Sequence, residues 1–167
     1  MATQSKAKKF ESQFKSDWEQ TVGGFCYRLY DVVSGYAGIA TPCDFICYKY
    51  PIIYLIDCKS HDGNTISFSD FAQYERMLPY KDIKGLVAGT VTWFYKHDKV
   101  VWTPIQTWEK IKNEGGKSFN IKMLDNPDYE CWELPSVKKR VFMTTDYKSF
   151  TEHYKEFYEQ DRDTELG

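Results

Sequence analysis

Asp44, Asp57 and Lys59 carry more chemistry than any other short stretch of this chain. They stand at the ends of two apolar runs, Phe45-Ile46-Cys47-Tyr48 and Ile52-Ile53-Tyr54-Leu55-Ile56, which meet around Tyr50-Pro51. An antiparallel hairpin symmetric about that dipeptide sets Ile46 opposite Leu55, Tyr48 opposite Ile53 and Asp44 opposite Asp57. On its other face Cys43 meets Cys58, Phe45 meets Ile56 and Cys47 meets Tyr54. Directly opposed residues hold their Cβ atoms about 4.5–5.5 Å apart. Two ionised carboxylates at that spacing repel unless a cation or a proton sits between them. Lys59 follows Asp57 on the same face of the strand. Two carboxylates and an ammonium outline a site for a divalent metal and a water beside a phosphodiester. Oxygen ligands suit Mg2+ or Mn2+, and Lys59 would contact the attacking water or the phosphate. A plain ion pair of Lys59 with Asp57 or Asp44 satisfies the same spacing.

Both hairpin faces are largely apolar, so other elements must cover both sides. Phe10, Phe14 and Trp18 recur at helical spacing and predict a helix from Lys6 to about Gln20, stopped by Gly23-Gly24. Phe25 to Tyr30 reads as a strand and Asp31 to Thr41 as a loop. After the hairpin, Ile66 to Phe68 is a short extended piece, and Ser69 caps a helix from Asp70 to about Leu78, stopped by Pro79. Lys84 to Tyr95 and Val100 to Trp102 are strands around a His97-Asp98 turn. Thr107 caps a helix from Trp108 to Asn113. A strand from Phe119 to Leu124, a polar loop from Asp125 to Ser136 and a last strand from Val137 to Thr144 follow. Asp146 or Thr145 caps a final helix carrying Tyr147, Phe150, Tyr154 and Phe157. The pattern predicts an α/β fold with a mixed central sheet flanked by helices.

The 167 residues fit one domain with room for a sizeable core. Its core spans about 6–105, the C-terminal strands and acidic helix 106–160, and a frayed tail 161–167. No apolar run is long enough for a membrane, and the polar, basic start is no secretory signal. Five cysteines without regular spacing point to reduced thiols and a cytoplasmic location. The formal net charge is −2. It hides an acidic end, where Glu152, Glu156, Glu159, Asp161, Asp163 and Glu165 outnumber Lys155 and Arg162. Nucleic acid is therefore permitted as a partner, because charge on one face matters more than the total.

With Asp44, the strand-turn-strand and Asp57-Cys58-Lys59 in place, the chain resembles the PD-(D/E)xK nucleases, which have a restriction-endonuclease-like core. Lys9-Phe10-Glu11 on the first helix and Arg28 on the first strand match the elements that precede that core. Tyr54-Leu55-Ile56-Asp57-Cys58-Lys59-Ser60, Ile66-Ser67-Phe68, Gln73 and Lys84-Gly85-Leu86-Val87-Ala88-Gly89 look like the RecU-type Holliday junction resolvases. The resemblance covers about residues 6–105, and the short form looks like a phage-encoded version, which would work in the host cytoplasm. Pro42 stands two before Asp44 rather than next to it, and the second acid is Asp where that group usually has Glu. The resemblance implies that Asp44, Asp57 and the backbone carbonyl of Cys58 hold Mg2+ or Mn2+. Lys59 would polarise the water, Glu11 would hold a water beside the metal or a second ion, and Gln73 would assist or contact phosphate. It also implies a homodimer acting on a four-way DNA junction, by metal-assisted hydrolysis.

Lys6, Lys8, Lys9 and Arg28 are candidates for phosphate contacts, and Arg28 has Asp31 as an alternative partner. Cys43, Cys47 and Cys58 lack the fourth close ligand that zinc wants. His61 follows Lys59 and reads as a loop residue. Tyr36, Tyr74 and Tyr80 could stack on unpaired bases, although most aromatic residues of the chain read as core.

Overall fold

The computed structural model describes residues 5–31 and 40–166, so Tyr36 lies outside it. Its centre is the predicted hairpin. Strand β2 (Phe45–Lys49) and strand β3 (Ile52–His61) are joined by Tyr50-Pro51. Ile46 pairs with Leu55, Cys47 with Tyr54 and Tyr48 with Ile53, in the register read from the sequence. The pairing holds because a slip of one residue would exchange the two faces of both strands.

Strand β1 (Phe25–Arg28) pairs antiparallel with β2. On its other side β3 pairs in parallel with β5 (Leu86–Phe94), from Ile53 opposite Leu86 to His61 opposite Phe94. Strands β6 (Lys99–Pro104) and β8 (Trp132–Glu133) complete a mixed six-stranded sheet in the order β1-β2-β3-β5-β6-β8. Helices flank it, the architecture the sequence predicts. Between β3 and β5 the chain forms β4 (Thr65–Ser67), a 3-10 turn Phe68–Asp70, helix α2 (Tyr74–Met77) and a second 3-10 turn Leu78–Tyr80. A parallel pair needs such a crossover, and this one lies across one face of the sheet.

Helix α1 (Lys6–Thr21) and helix α4 (Lys148–Leu166) cover one face, with Phe10, Phe14, Trp18, Tyr147 and Phe150 buried against Tyr54, Ile56, Val91 and Trp102. Full burial of one such aromatic side chain stabilises the fold by about 2–3 kcal/mol. Gly24 (φ 75°) turns the chain from α1 into β1, and a Cβ there would meet the Tyr48 carbonyl oxygen at 2.9 Å. The second face packs Leu55, Ala88, Phe94 and Val101 against Phe71, Met77, Trp108 and Ile111, under α2 and α3 (Ile105–Asn113). Gly89 admits the Trp102 ring, which a Cβ would meet at 2.6 Å. Among the described residues no helix is long and apolar enough to cross a membrane.

Several elements differ from the sequence expectation. The helix expected from Asp70 to Leu78 is the single turn α2 between 3-10 turns, and Pro79 lies inside the second of these rather than ending a helix. Thr107 is buried within α3 and donates to the Glu130 carbonyl rather than capping. The expected strand from Phe119 to Leu124 is β7 (Ser118–Asn120) followed by a 3-10 turn, Ile121–Asp125. The last strand is a hairpin, β9 (Ser136–Lys138) and β10 (Met143–Thr145). The helix expected to fray from residue 161 runs on to Leu166, where Lys84 pairs with Asp161 and Glu165.

Asp17 docks the C-terminal hairpin onto α1. Its side chain is buried, and its carboxylate accepts from the Thr145 N–H at 2.9 Å and from Gln13 Nε2 at 2.7 Å. Asp17→Ala strands a buried amide and removes a charged acceptor. It should lower unfolding free energy by about 1–3 kcal/mol in a urea titration, while Asp17→Asn, which keeps an acceptor oxygen, should cost less.

Candidate active site

The candidate residues meet where β2 begins and β3 continues past it. Asp44 N–H still donates to the Ile56 carbonyl at 3.0 Å, but the ladder ends there. Cys58 N–H, the next donor along that edge of β3, is met by a side chain, donating to Asp44 Oδ2 at 2.8 Å. Asp44 thus turns its carboxylate into the gap that a longer β2 would fill. A residue in an extended strand points its N–H and C=O to the same side, so the Cys58 carbonyl faces that gap too. This early strand end also breaks the predicted ladder pairings of Asp44 with Asp57 and of Cys43 with Cys58, because the Asp44 N–H takes the Ile56 carbonyl and its carboxylate takes the Cys58 N–H. Cys43 packs with Leu55 in the second core, and Cys58 packs in the first with Phe45 and Ile56.

Arg28 ties the first helix to this gap. Its Nη1 donates to Asp44 Oδ1 and to the Asp44 carbonyl, each at 3.0 Å, and to the Leu29 carbonyl at 2.7 Å. Its Nη2 donates to Glu11 Oε2 at 3.0 Å. Burial alone would lower the Arg28 pKa, but the charges of Asp44 and Glu11 raise it, so the guanidinium stays charged between them. Burial and repulsion by Asp44 raise Glu11, and Arg28 opposes both. Arg28 is therefore spent on Glu11 and Asp44 and not on Asp31, whose carboxylate accepts from the Thr41 N–H and hydroxyl.

Asp57 lies on the second face of β3, at 0% side-chain exposure. Lys59 Nζ stands 2.9 Å from Asp57 Oδ2 as a buried ion pair, and apart from it neither Asp57 oxygen accepts a hydrogen bond. Lys59 Nζ also donates to Gln73 Oε1 at 3.3 Å and lies 5.7 Å from the centre of the Phe71 ring. Gln73 sits just ahead of α2 rather than within a longer helix. Burial is the main cause that pushes the Asp57 carboxyl up, to about 8, and Asp44 adds to it by its charge and by hydrogen-bonding the protonated form. Lys59 pulls the other way.

Asp44, Asp57, Lys59, Glu11, Arg28, Gln73 and the Cys58 backbone are thus linked through successive contacts. Lys8 lines a cleft of about 550 Å3 with Glu11, Lys15, Arg28 and Tyr30, while Lys6 lies on another flank of α1, over the Tyr95 ring at 4.3 Å. His61 Nδ1 accepts from the Gly63 N–H, a turn contact. The Tyr74 ring is buried in the second core. A second cleft of about 400 Å3, lined by Lys84, Gly85, Tyr158 and Asp161, lies at the far end of the sheet and contains none of the candidate residues.

Thr90 and Thr92 were missed from the sequence. They are fully buried and lie beside Asp57 and Lys59 in the parallel register of β5. Thr90 Oγ1 accepts from Trp108 Nε1 at 3.1 Å, whereas Thr92 Oγ1 has no partner. Alternate threonines in an otherwise apolar strand were the available signal, but only the crossover puts them beside these charges.

The donors fit a hard divalent cation. Two neighbouring carboxylates and a backbone carbonyl supply oxygen ligands, and the buried Asp57 oxygens lack any other hydrogen-bonding partner. Among the described residues no group of three or more His, Cys, Asp or Glu side chains is placed to hold a metal. Arg28 accounts for the distance of the third acid, because it stands between Glu11 and Asp44. Zinc has no such fit. Burial raises the Cys43 thiol to about 12 and also pushes Cys47 and Cys58 well above the ordinary thiol range, disfavouring the thiolates that zinc needs.

No protein-family model matches the sequence, and neither does any curated protein. Among solved structures, the chain is similar to Hjc of Archaeoglobus fulgidus, a Holliday junction resolvase from an archaeal hyperthermophile. The two share 13% identity, the match covers 60% of this chain and 78% of that one, and the TM-score is 0.45.

Burial makes the folded metal-free protein bind a proton on Asp57 more tightly than the unfolded chain, whose carboxyl titrates near the ordinary value of 3.8. That contribution is full below about pH 4 and is lost as pH rises toward 8. Asp57→Asn should flatten this decline and make the metal-free protein more stable at pH 8, by roughly 1–3 kcal/mol after relaxation of the site. Thermal unfolding in chelator across pH 4 to 8 reads this directly, and parallel curves for the two proteins would count against it.

Proposed function

We propose that this protein is a metal-dependent nuclease that hydrolyses phosphodiester bonds in branched DNA, four-way junctions above all. The observation that carries the nuclease reading is the fully buried Asp57 carboxylate, set beside Asp44 and paired only with Lys59 on the same face. A cation between the two acids offsets both repulsion and burial. Asp44, Asp57 and the Cys58 carbonyl would hold Mg2+ or Mn2+. When bound, the ion supplies positive charge for the phosphoryl oxygens and acidifies a water at neutral pH.

The protein's own groups do the rest. Lys59, paired with Asp57 in the structure, would turn its ammonium to the phosphate or the attacking water when a cation is bound, with Gln73 as the acceptor that keeps it in place. The water oxygen would bond to phosphorus in line with the departing oxygen, whose bond to phosphorus breaks, the water giving up a proton to solvent and the departing oxygen taking one from solvent. Glu11 would hold a water beside the metal. Arg28 keeps Glu11 and Asp44 close despite their like charge.

The choice of a four-way junction follows the RecU-type resemblance, through the run Tyr54–Ser60, Gln73 and Lys84–Gly89. A junction is two-fold symmetric with two strands to cut, so a homodimer with one site per subunit suits it. Such an enzyme would serve recombination and repair. The alternatives are a nuclease of the same fold for other branched or linear DNA, and a DNA- or protein-binding module without catalysis. The complete Asp44, Asp57 and Lys59 set favours catalysis, since a binder needs no buried acid pair.

Incubation with a four-way junction and a matched linear duplex, in Mg2+ and in chelator, separates these readings. Symmetric metal-dependent nicks on the junction alone are expected. Equal cutting of the duplex would replace the junction reading with a general nuclease, and no cutting of either would favour the binder. Asp57→Asn should lower cleavage by at least about 1,000-fold while junction binding in chelator persists. A fully active Asp57→Asn protein would overturn the site. Sedimentation at cleavage concentrations should show a dimer.

A further inference from the structure

We propose that Lys8, Lys9 and Lys6 on α1, continued by Lys139 and Arg140 in the β9–β10 turn, form one band that grips DNA backbone phosphates beside the cleaved bond. The inference rests on the nuclease reading and assigns a role to the C-terminal hairpin, which the sequence resemblance does not reach.

What marks the band out is five neighbouring cations without a carboxylate partner, against the two, Lys49 and Lys148, that share the cleft at the far end of β2. Elsewhere many cations have a carboxylate partner, as in Lys81 with Glu109, Lys99 with Glu133 and Lys112 with Glu75. Among the described residues, Lys6, Lys8, Lys9, Lys139 and Arg140 have none within 4.0 Å. All five are exposed. Exposed, unneutralised cations at this density repel one another, so an anion that bridges them gains from every one.

Their placement is continuous. Lys8 lines the cleft that holds Glu11 and Arg28. At about 100° per residue, Lys9 lies on the solvent side of α1 between Lys8 and Lys6. Lys6 shares a cleft of about 120 Å3 with Tyr95, Lys138, Lys139 and Arg140. The one acid in that cleft, Asp98, is held by Lys138 at 3.0 Å, which leaves Lys139 and Arg140 free. The turn is anchored below by the Lys139 N–H to Phe142 carbonyl bond at 2.7 Å and by Asp17 on Thr145. Lys6 precedes Glu11 by five residues, roughly 7–8 Å along the helix axis, or about two base-pair steps of a DNA strand.

The rest of the charge is arranged to match. The acidic part of α4 lies at the other end of the sheet, where Asp161 and Glu165 meet Lys84 just ahead of β5. The band stands at the opposite end, past the finish of β5, where Lys6 meets Trp93 and Tyr95. A polyanion approaching this molecule is attracted at the band and repelled at α4.

The test is fluorescence anisotropy of the full chain in chelator, against a labelled four-way junction, a duplex and a single strand, over a series of salt concentrations. The double variant Lys139→Ala/Arg140→Ala should weaken binding about tenfold near 0.1 M salt and lower the salt slope for duplex arms by about two. Lys139→Arg/Arg140→Lys should restore both. Lys49→Ala/Lys148→Ala removes the same charge from a cleft at the far end of β2 and should stay within about twofold of wild type. Unchanged melting temperatures confirm that the variants are folded. Equal losses in the band and far-end variants, or no loss in the band variant, would overturn the band. Failure of the wild type to bind any of the three DNAs would instead overturn the nuclease reading on which it rests.

Discussion

A carboxylate removed from water must be protonated, paired or supplied with donors, and Asp57 is the residue for which the fold does this least completely. Its strand is the centre of the sheet, paired antiparallel to β2 on one side and parallel to β5 on the other. Any shift that would expose Asp57 would also break those ladders. The strain of holding it is met by Lys59 in contact distance and by Asp44, which stabilises the protonated form. The cation proposed for this site would take over from both.

The early end of β2 is what makes that site accessible. Had the strand continued, a backbone carbonyl would have met the Cys58 amide and sealed the edge. Asp44 takes that position with a side chain, leaving a gap that the Cys58 carbonyl also faces. Arg28 fills the far side of the gap and is itself fixed by contacts to Glu11, Asp44 and the Leu29 carbonyl. One guanidinium thus joins helix α1, strand β1 and the start of β2, and a lysine could not span these acceptors.

Charge outside the site is sorted by the same architecture. The helix that closes the first core, α4, carries the acids and crosses the end of the sheet away from Lys59. The opposite end receives the start of α1 and the β9–β10 turn, both rich in cations. Asp17 holds these two elements together, although it takes no part in any proposed chemistry.

The sequence by itself determined the hairpin, its register, the first helix and the mixed sheet with helices on both sides. These follow from alternation, helical periodicity and punctuation by Gly23-Gly24 and Tyr50-Pro51, all of which act over short distances along the chain. Asp44, Asp57 and Lys59 were legible because charge at the ends of apolar strands is costly wherever it lies. Glu11 and Gln73 entered only through the resemblance, since nothing in their spacing singles them out. Tertiary structure alone decided that Arg28 would bind Glu11 and Asp44, and that Thr90 and Thr92 would stand beside Asp57 and Lys59. It also set Cys43 and Cys58 in different cores and gave the C-terminal hairpin its place beside α1. Each of these depends on which strand ends first or on which elements a crossover brings together. Such long-range pairings leave no local pattern in the residues that make them.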